Sequence, residues 1–173
     1  FCFYGPAIEE CAQVTKGREA GRIFTAKSFF RQEGASGGSS RPVGRVRPTI
    51  ARRFYPEAVL RARPGGEFRS VTTMFLGLRR GEMADADSAV TLILEKTAEY
   101  GGYFNGMFFD DKGPHVLVVF GAPVSYENNA DRALSLAWEL RDAFGKGLRT
   151  GITTGTAFAG VVGSSRRCTY TVL

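Results

Sequence analysis

The sequence is poor in the residues that usually announce a site. Its 173 residues hold three cysteines (Cys2, Cys11 and Cys168), one histidine (His115) and one tryptophan (Trp138). An odd number of cysteines at these spacings argues against a disulfide framework and matches no zinc or redox pattern. They read as small thiols that pack like other small side chains. His115 falls on a strand-like run with no nucleophile or second ligand type beside it, so it reads as structural. No uninterrupted apolar run is long enough to cross a bilayer, and no charged-then-apolar leader opens the chain. The expected setting is therefore cytoplasmic, with no membrane segment. Because the first residue is Phe1 rather than Met, the chain reads as an internal piece of a longer protein.

The charge is uneven. Residues 1–70 carry 13 Lys and Arg against 6 Asp and Glu, whereas residues 71–173 carry 10 against 11. The excess sits mostly in Arg41, Arg45, Arg47, Arg52, Arg53, Arg61 and Arg63, within a Gly, Ser and Pro-rich stretch. A nucleic-acid domain gathers such charge on a folded face. Here the composition is that of a solvated connector, so no nucleic-acid partner is expected. Three parts follow: residues 1–31, a linker over residues 32–66, and a globular unit over residues 67–173.

The globular unit alternates between strand and helix patterns. Val71–Leu78 is an apolar, β-branched run that predicts a buried strand. Asp85 or Asp87 can cap a helix with Ala86, Val90, Ile93, Leu94 and Thr97 on one face. Gly101 and Gly102 end it, and Tyr103–Phe109 predicts a strand. Asp110 to Pro114 supplies turn chemistry, and His115–Phe120 gives the partner of a hairpin. Ala130, Ala133, Leu134, Ala137, Leu140 and Phe144 mark a second helix, stopped by Gly145 and Gly147; Trp138 on this helix reads as packing. Leu148–Thr153, Thr156–Val162 and Cys168–Leu173 are three further short strands. The order β-α-β-β-α-β is a ferredoxin-like α/β (α+β) layout: helices on one face of a mostly antiparallel sheet. Gly151 to Gly155 lacks the Gly-Lys-Ser/Thr ending of a phosphate loop and reads as a strand junction.

Longer strings carry a resemblance. VTTMFLGL (Val71–Leu78), GGYFNGMFFDDKGPHVLVVFGAP (Gly101–Pro123), ADRALSLAWEL (Ala130–Leu140) and RTGITTGTAFAGVVGSSRRCTYTVL (Arg149–Leu173) together resemble a class III nucleotidyl cyclase homology domain. The nearest likeness is to the second catalytic domain of the tandem, bicarbonate-regulated soluble adenylyl cyclases and their bacterial relatives. FCFYGPAIEECAQ (Phe1–Gln13) and EAGRIFTAKSFF (Glu19–Phe30) are similar to the tail of a preceding domain of the same kind. The resemblance implies a cyclase converting ATP, or GTP, to a 3′,5′-cyclic nucleotide and pyrophosphate. Its site lies between two domains and depends on Mg²⁺ or Mn²⁺. The other reading it allows is a degenerate cyclase domain that binds nucleotide or regulates a partner.

The resemblance also implies roles residue by residue. Two aspartates in one domain hold the metals; an Asn and an Arg in the other steady the nucleotide. Gly77 stands where the first metal aspartate would fall, and Asp110 and Asp111 near the second read as a turn, so no metal site is expected in this chain. Its metal ligands and the first cyclase domain's body would lie upstream. Glu9 and Gln13 occupy the Asn and Arg positions of the preceding domain, and the pair belonging to the second domain would follow Leu173. No catalytic residue is therefore expected within these 173 residues. What remains is a base pocket: Asn105, Phe108, Phe109 and Asp110 lining the nucleobase, and Thr171 and Val172 at its edge. Gly106 stands where relatives carry a purine-contacting Lys. Arg166 and Arg167 read as a solvated turn.

Overall fold

The computed structural model describes residues 47–62, 65–79, 85–110, 113–164 and 168–173. Two single-turn helices, α1 (Pro48–Ala51) and α2 (Glu57–Leu60), precede strand β1 (Gly65–Leu78). Helix α3 (Ala86–Glu99) leads to the hairpin β2 (Tyr103–Asp110) and β3 (Gly113–Phe120). Helix α4 (Asn129–Phe144) and one 3₁₀ turn (Gly145–Gly147) lead to β4 (Leu148–Gly163) and β5 (Cys168–Val172). The five strands form one sheet in the order β2-β3-β1-β4-β5, every neighbouring pair antiparallel. The βαββαβ order predicted from the pattern is the observed one. Among the described residues no helix is long and apolar enough to cross a membrane.

Alternation along the strands makes two cores. Met74, Leu76, Leu78, Val116, Val118 and Phe120 point to the helix side, where Ile93 of α3 and Ala133, Leu136 and Leu140 of α4 cover them. Val71, Tyr103, Val119, Ala122, Ala159, Tyr170 and Val172 gather on the other face with Val59 of α2. β3 is apolar at successive positions because both its faces are buried near Phe120.

Several local expectations are corrected. β1 begins at Gly65, six residues before the apolar run, because β4 pairs with it from Gly65↔Val161 to Leu78↔Leu148. That same ladder joins the two predicted short strands into the single strand β4. Gly151 faces Phe75 and Gly155 faces Val71, so both glycines stay extended. The buried stripe of α3 is Ala89, Ile93 and Thr97, with Leu94 exposed. On α4 it is Ala133, Leu136 and Leu140, and both Leu134 and Trp138 stand in solvent. Trp138 is not packing: the Arg141 guanidinium lies over its ring at 3.8 Å. One helix layer buries only a narrow stripe of each helix, and the apolar residues exceed what that stripe can take.

Within the stretch expected to be linker, residues 47–62 are helical in two places and seat Val59 in the second core. At the start of α3, Asp85 accepts a hydrogen bond from the Ser88 N–H at 3.1 Å, as its capping pattern predicts. Lys96 donates to Glu99 on its own helix and to Glu139 on α4, at 2.9 and 3.1 Å, which clasps the two helices.

The β1–β4 ribbon closes tightly at its far end. A Cβ on Gly66 would stand 2.6 Å from the Ala159 carbonyl oxygen, and one on Gly160 would collide with the Gly66 backbone. Gly160→Ala should therefore lower unfolding stability by about 1–3 kcal/mol in denaturant titrations. Gly151→Ala, where an added Cβ meets nothing within 4 Å, should change it by less than about 0.5 kcal/mol.

Candidate functional site

The sheet face opposite the helices carries the candidate site. Pairing sets its residues in rows across the strands. One row runs Phe108, His115, Gly77, Arg149 over β2, β3, β1 and β4. The next runs Gly106, Leu117, Phe75, Gly151, and the third Tyr103, Val119, Thr73, Thr153. Phe75 and Phe108 are 53% and 52% exposed, so the centre of this face presents aromatic rings to solvent.

Asn105 sits at a β-bulge: the register jumps from Phe104↔Val118 to Gly106↔Leu117. A bulge re-aims the extra side chain out of the normal alternation. The Asn105 Oδ1 is buried and has no hydrogen-bond partner among the described residues. A buried carbonyl oxygen left unpaired costs about 1–3 kcal/mol.

The other sequence-predicted residues separate. Phe108 faces the open side, and Phe109, one residue on, faces the helix side opposite Pro114. The two rings therefore do not form one surface. Asp110 ends β2 opposite Gly113. On β5, Val172 belongs to the second core, so its side chain is committed to packing. Thr171 pairs with Gly160 and points to the opposite side from Val172. Arg166 and Arg167, with Glu9 and Gln13, lie outside the described residues, as does Asp111.

Although β2 and β5 lie at opposite ends of the strand order, the sheet curls enough to bring them together. The Tyr103 and Tyr170 rings meet edge to face, with centroids 5.4 Å apart. Burial pushes the Tyr103 phenol up to about 12, and Tyr170 and Tyr55 beside it add to the shift. Arg69 forms an ion pair with Glu67 at 3.2 Å and donates to the Pro123 carbonyl at 2.8 Å, pinning the loop after β3. This tyrosine cluster escaped the sequence reading because no local pattern joins residues so far apart. The Phe75 row was legible in principle, since period-two alternation places Thr73, Phe75 and Gly77 on one face.

The described residues do not fit a divalent cation. No group of three His, Cys, Asp or Glu side chains comes together among them. Gly77 offers no ligand atom, and a Cβ placed there would have His115 Nδ1 at 3.6 Å and Arg149 Nε at 3.7 Å. A guanidinium beside the position disfavours a metal ion. Gly106 is equally informative. A Cβ there would lie 3.1 Å from the Phe108 ring, so that ring covers the space a longer side chain would use.

No family model matches the chain, and no curated protein does. Solved structures do share its fold. The adenylyl cyclase CyaB from P. aeruginosa is similar over 62% of this chain and 67% of its own, at 23% identity and a TM-score of 0.52. The guanylate cyclase domain of RhGC from Catenaria anguillulae, solved in complex with GTP, covers 62% and 68% at 21% identity and a TM-score of 0.53. The non-canonical dimeric guanylyl cyclase domain of the RhoGC fusion protein from the aquatic fungus Blastocladiella emersonii covers 64% and 71% at 20% identity and a TM-score of 0.52.

The buried Tyr103 phenol has a pH signature. Its raised pKa means the folded state holds the proton more tightly, so its stability is full below about pH 10 and falls as pH rises from there through about 12. Urea titrations at pH 9 and pH 11 should show that fall in the wild type and a shallower one in Tyr103→Phe.

Proposed function

We propose that this domain, which has the fold of the adenylyl and guanylyl cyclase catalytic domains, is the second catalytic half of an enzyme converting ATP to 3′,5′-cyclic AMP and pyrophosphate. The observation that carries the reading is Asn105. Its buried, unpartnered carbonyl oxygen sits at a bulge in β2, beside the open face. On this reading the side chains covering it move aside when the purine binds, and the exocyclic amino group of adenine supplies the missing donor. Phe108, exposed on the same strand, supplies an apolar surface for the flat base.

The open face supports a two-domain site. Exposed Phe75 and Phe108 suit a face that a second domain covers. On this reading the partner is the first cyclase domain of the same protein. The Mg²⁺ or Mn²⁺ that the reaction uses would be held by that domain's carboxylates. Val172 serves this face by packing in the tyrosine cluster, and Thr171 points to the other side of β5.

One observation favours a second reading, a degenerate domain that binds nucleotide or regulates its partner without turnover. Gly77 is flanked by His115 and Arg149, and Phe108 fills the space above Gly106.

Cyclic nucleotide production by the parent protein, with ATP or GTP and Mg²⁺ or Mn²⁺, separates the two. Cyclic AMP from ATP is expected, together with background activity from the isolated 173 residues. Asn105→Ala should lower kcat/KM for ATP by about tenfold while leaving the melting temperature unchanged or higher, because it removes an unpaired buried oxygen. No product from either nucleotide by a folded parent protein would leave the degenerate reading.

A further inference from the structure

The segment ahead of β1 has a surface that the cyclase reading does not use. Backbone hydrogen bonds run helically from Ile50 N–H to Arg47 C=O through Tyr55 N–H to Ala51 C=O, at 2.9–3.1 Å. On such a path Ile50, Ala51, Phe54 and Tyr55 fall on one side, with Arg52 and Arg53 on its flanks. After Pro56 the chain turns into α2, which buries Val59 in the second core and leaves Leu60 and Arg61 outside. Ile50, Phe54, Tyr55 and Leu60 are 48%, 59%, 43% and 38% exposed. Ile50, Tyr55 and Leu60 leave much of their apolar surface in solvent within eleven residues, more than a folded segment of this size normally exposes.

The charge around them has one sign. Residues 47–61 hold four arginines, Arg47, Arg52, Arg53 and Arg61, against the single acid Glu57. Glu57 bridges Arg52 and Arg61 at 2.9 and 3.0 Å, which ties the end of the first turn to α2 and holds its carboxyl below the usual range. A net charge of +3 remains on the segment.

We propose that residues 47–61 dock on an anionic lipid surface. The chemistry selects this occupant. Aliphatic Ile50 and Leu60 have nothing to stack on in a nucleic acid, whereas the bilayer interface takes aliphatic and aromatic side chains together. Arginine stems lie along the apolar layer while their guanidinium heads stay among the headgroups. Tyr55 suits the same boundary, with an apolar ring and a polar tip. The opposite charge is that of phosphatidylserine-type headgroups. The segment lies on the surface and does not span.

Vesicle co-sedimentation of the 173-residue chain tests this, using phosphatidylcholine vesicles with and without phosphatidylserine. Binding is expected only with phosphatidylserine, and it should weaken steeply with added salt. Arg53→Ala should lower the partition coefficient about fivefold, the equivalent of about 1 kcal/mol for one arginine. Ile50→Ser should lower it by roughly tenfold at unchanged charge. Both positions are on the surface, so the thermal melt should be kept. Arg141→Ala, on the helix side, should leave partitioning unchanged; an equal loss there would reduce the effect to overall charge and overturn the proposal. So would equal binding to both vesicle types, or tighter binding to single-stranded RNA than to the anionic vesicles.

Discussion

β1 pairs with β4 along all fourteen of its residues and with β3 over Thr72–Gly77. That double pairing determines which side chains of three strands share a face. A shift of one residue would exchange Met74, Leu76 and Leu78 for Thr73, Phe75 and Gly77 at the helix interface. The helix-side core would then lose its largest members. The helices therefore fix the register through burial, and the register in turn composes the open face. Phe75, Phe108, His115 and Arg149 come together there.

The far end of the same ribbon serves a different purpose. Only glycine fits where Gly66 and Gly160 face each other, and the close approach lets the ribbon curl. The curl carries β5 back toward β2, so Tyr170 reaches Tyr103 across the face. Val172 enters the same cluster, and α2 seals it with Val59. The tyrosine cluster thus closes one end of the open face, beside the bulge at Asn105. The aromatic end with Phe75 and Phe108 stays uncovered. One face holds both a packed, structural end and an exposed end.

The short helices before β1 show how a linker composition and a folded surface coexist. Residues 47–61 hold four arginines and two prolines, yet one buried valine and one acid paired to two arginines help hold the segment in place. Solvated arginines and exposed apolar rings are compatible in a segment whose partner is itself part charged and part apolar.

Period-two and period-3.6 patterns determined the element order, because burial on one face leaves its mark on every second or every third and fourth residue. The Asp85 cap was legible for a similar reason, since its partner Ser88 lies one turn away. The Gly77 substitution was legible only through resemblance to cyclase sequences. Tertiary structure decided the rest. Whether Gly151 and Gly155 break a strand depended on whether β1 paired past them. Phe108 and Phe109, consecutive on a regular stretch of β2, fall on opposite faces by alternation alone, but which of them faces the helices depended on the register. Whether Trp138 is core depended on how much of α4 one sheet can cover, and it lies outside that stripe. Asn105 was named from its position in a motif. Its buried, unpaired oxygen emerged only in the folded chain, because burial is set by packing that a sequence motif does not record.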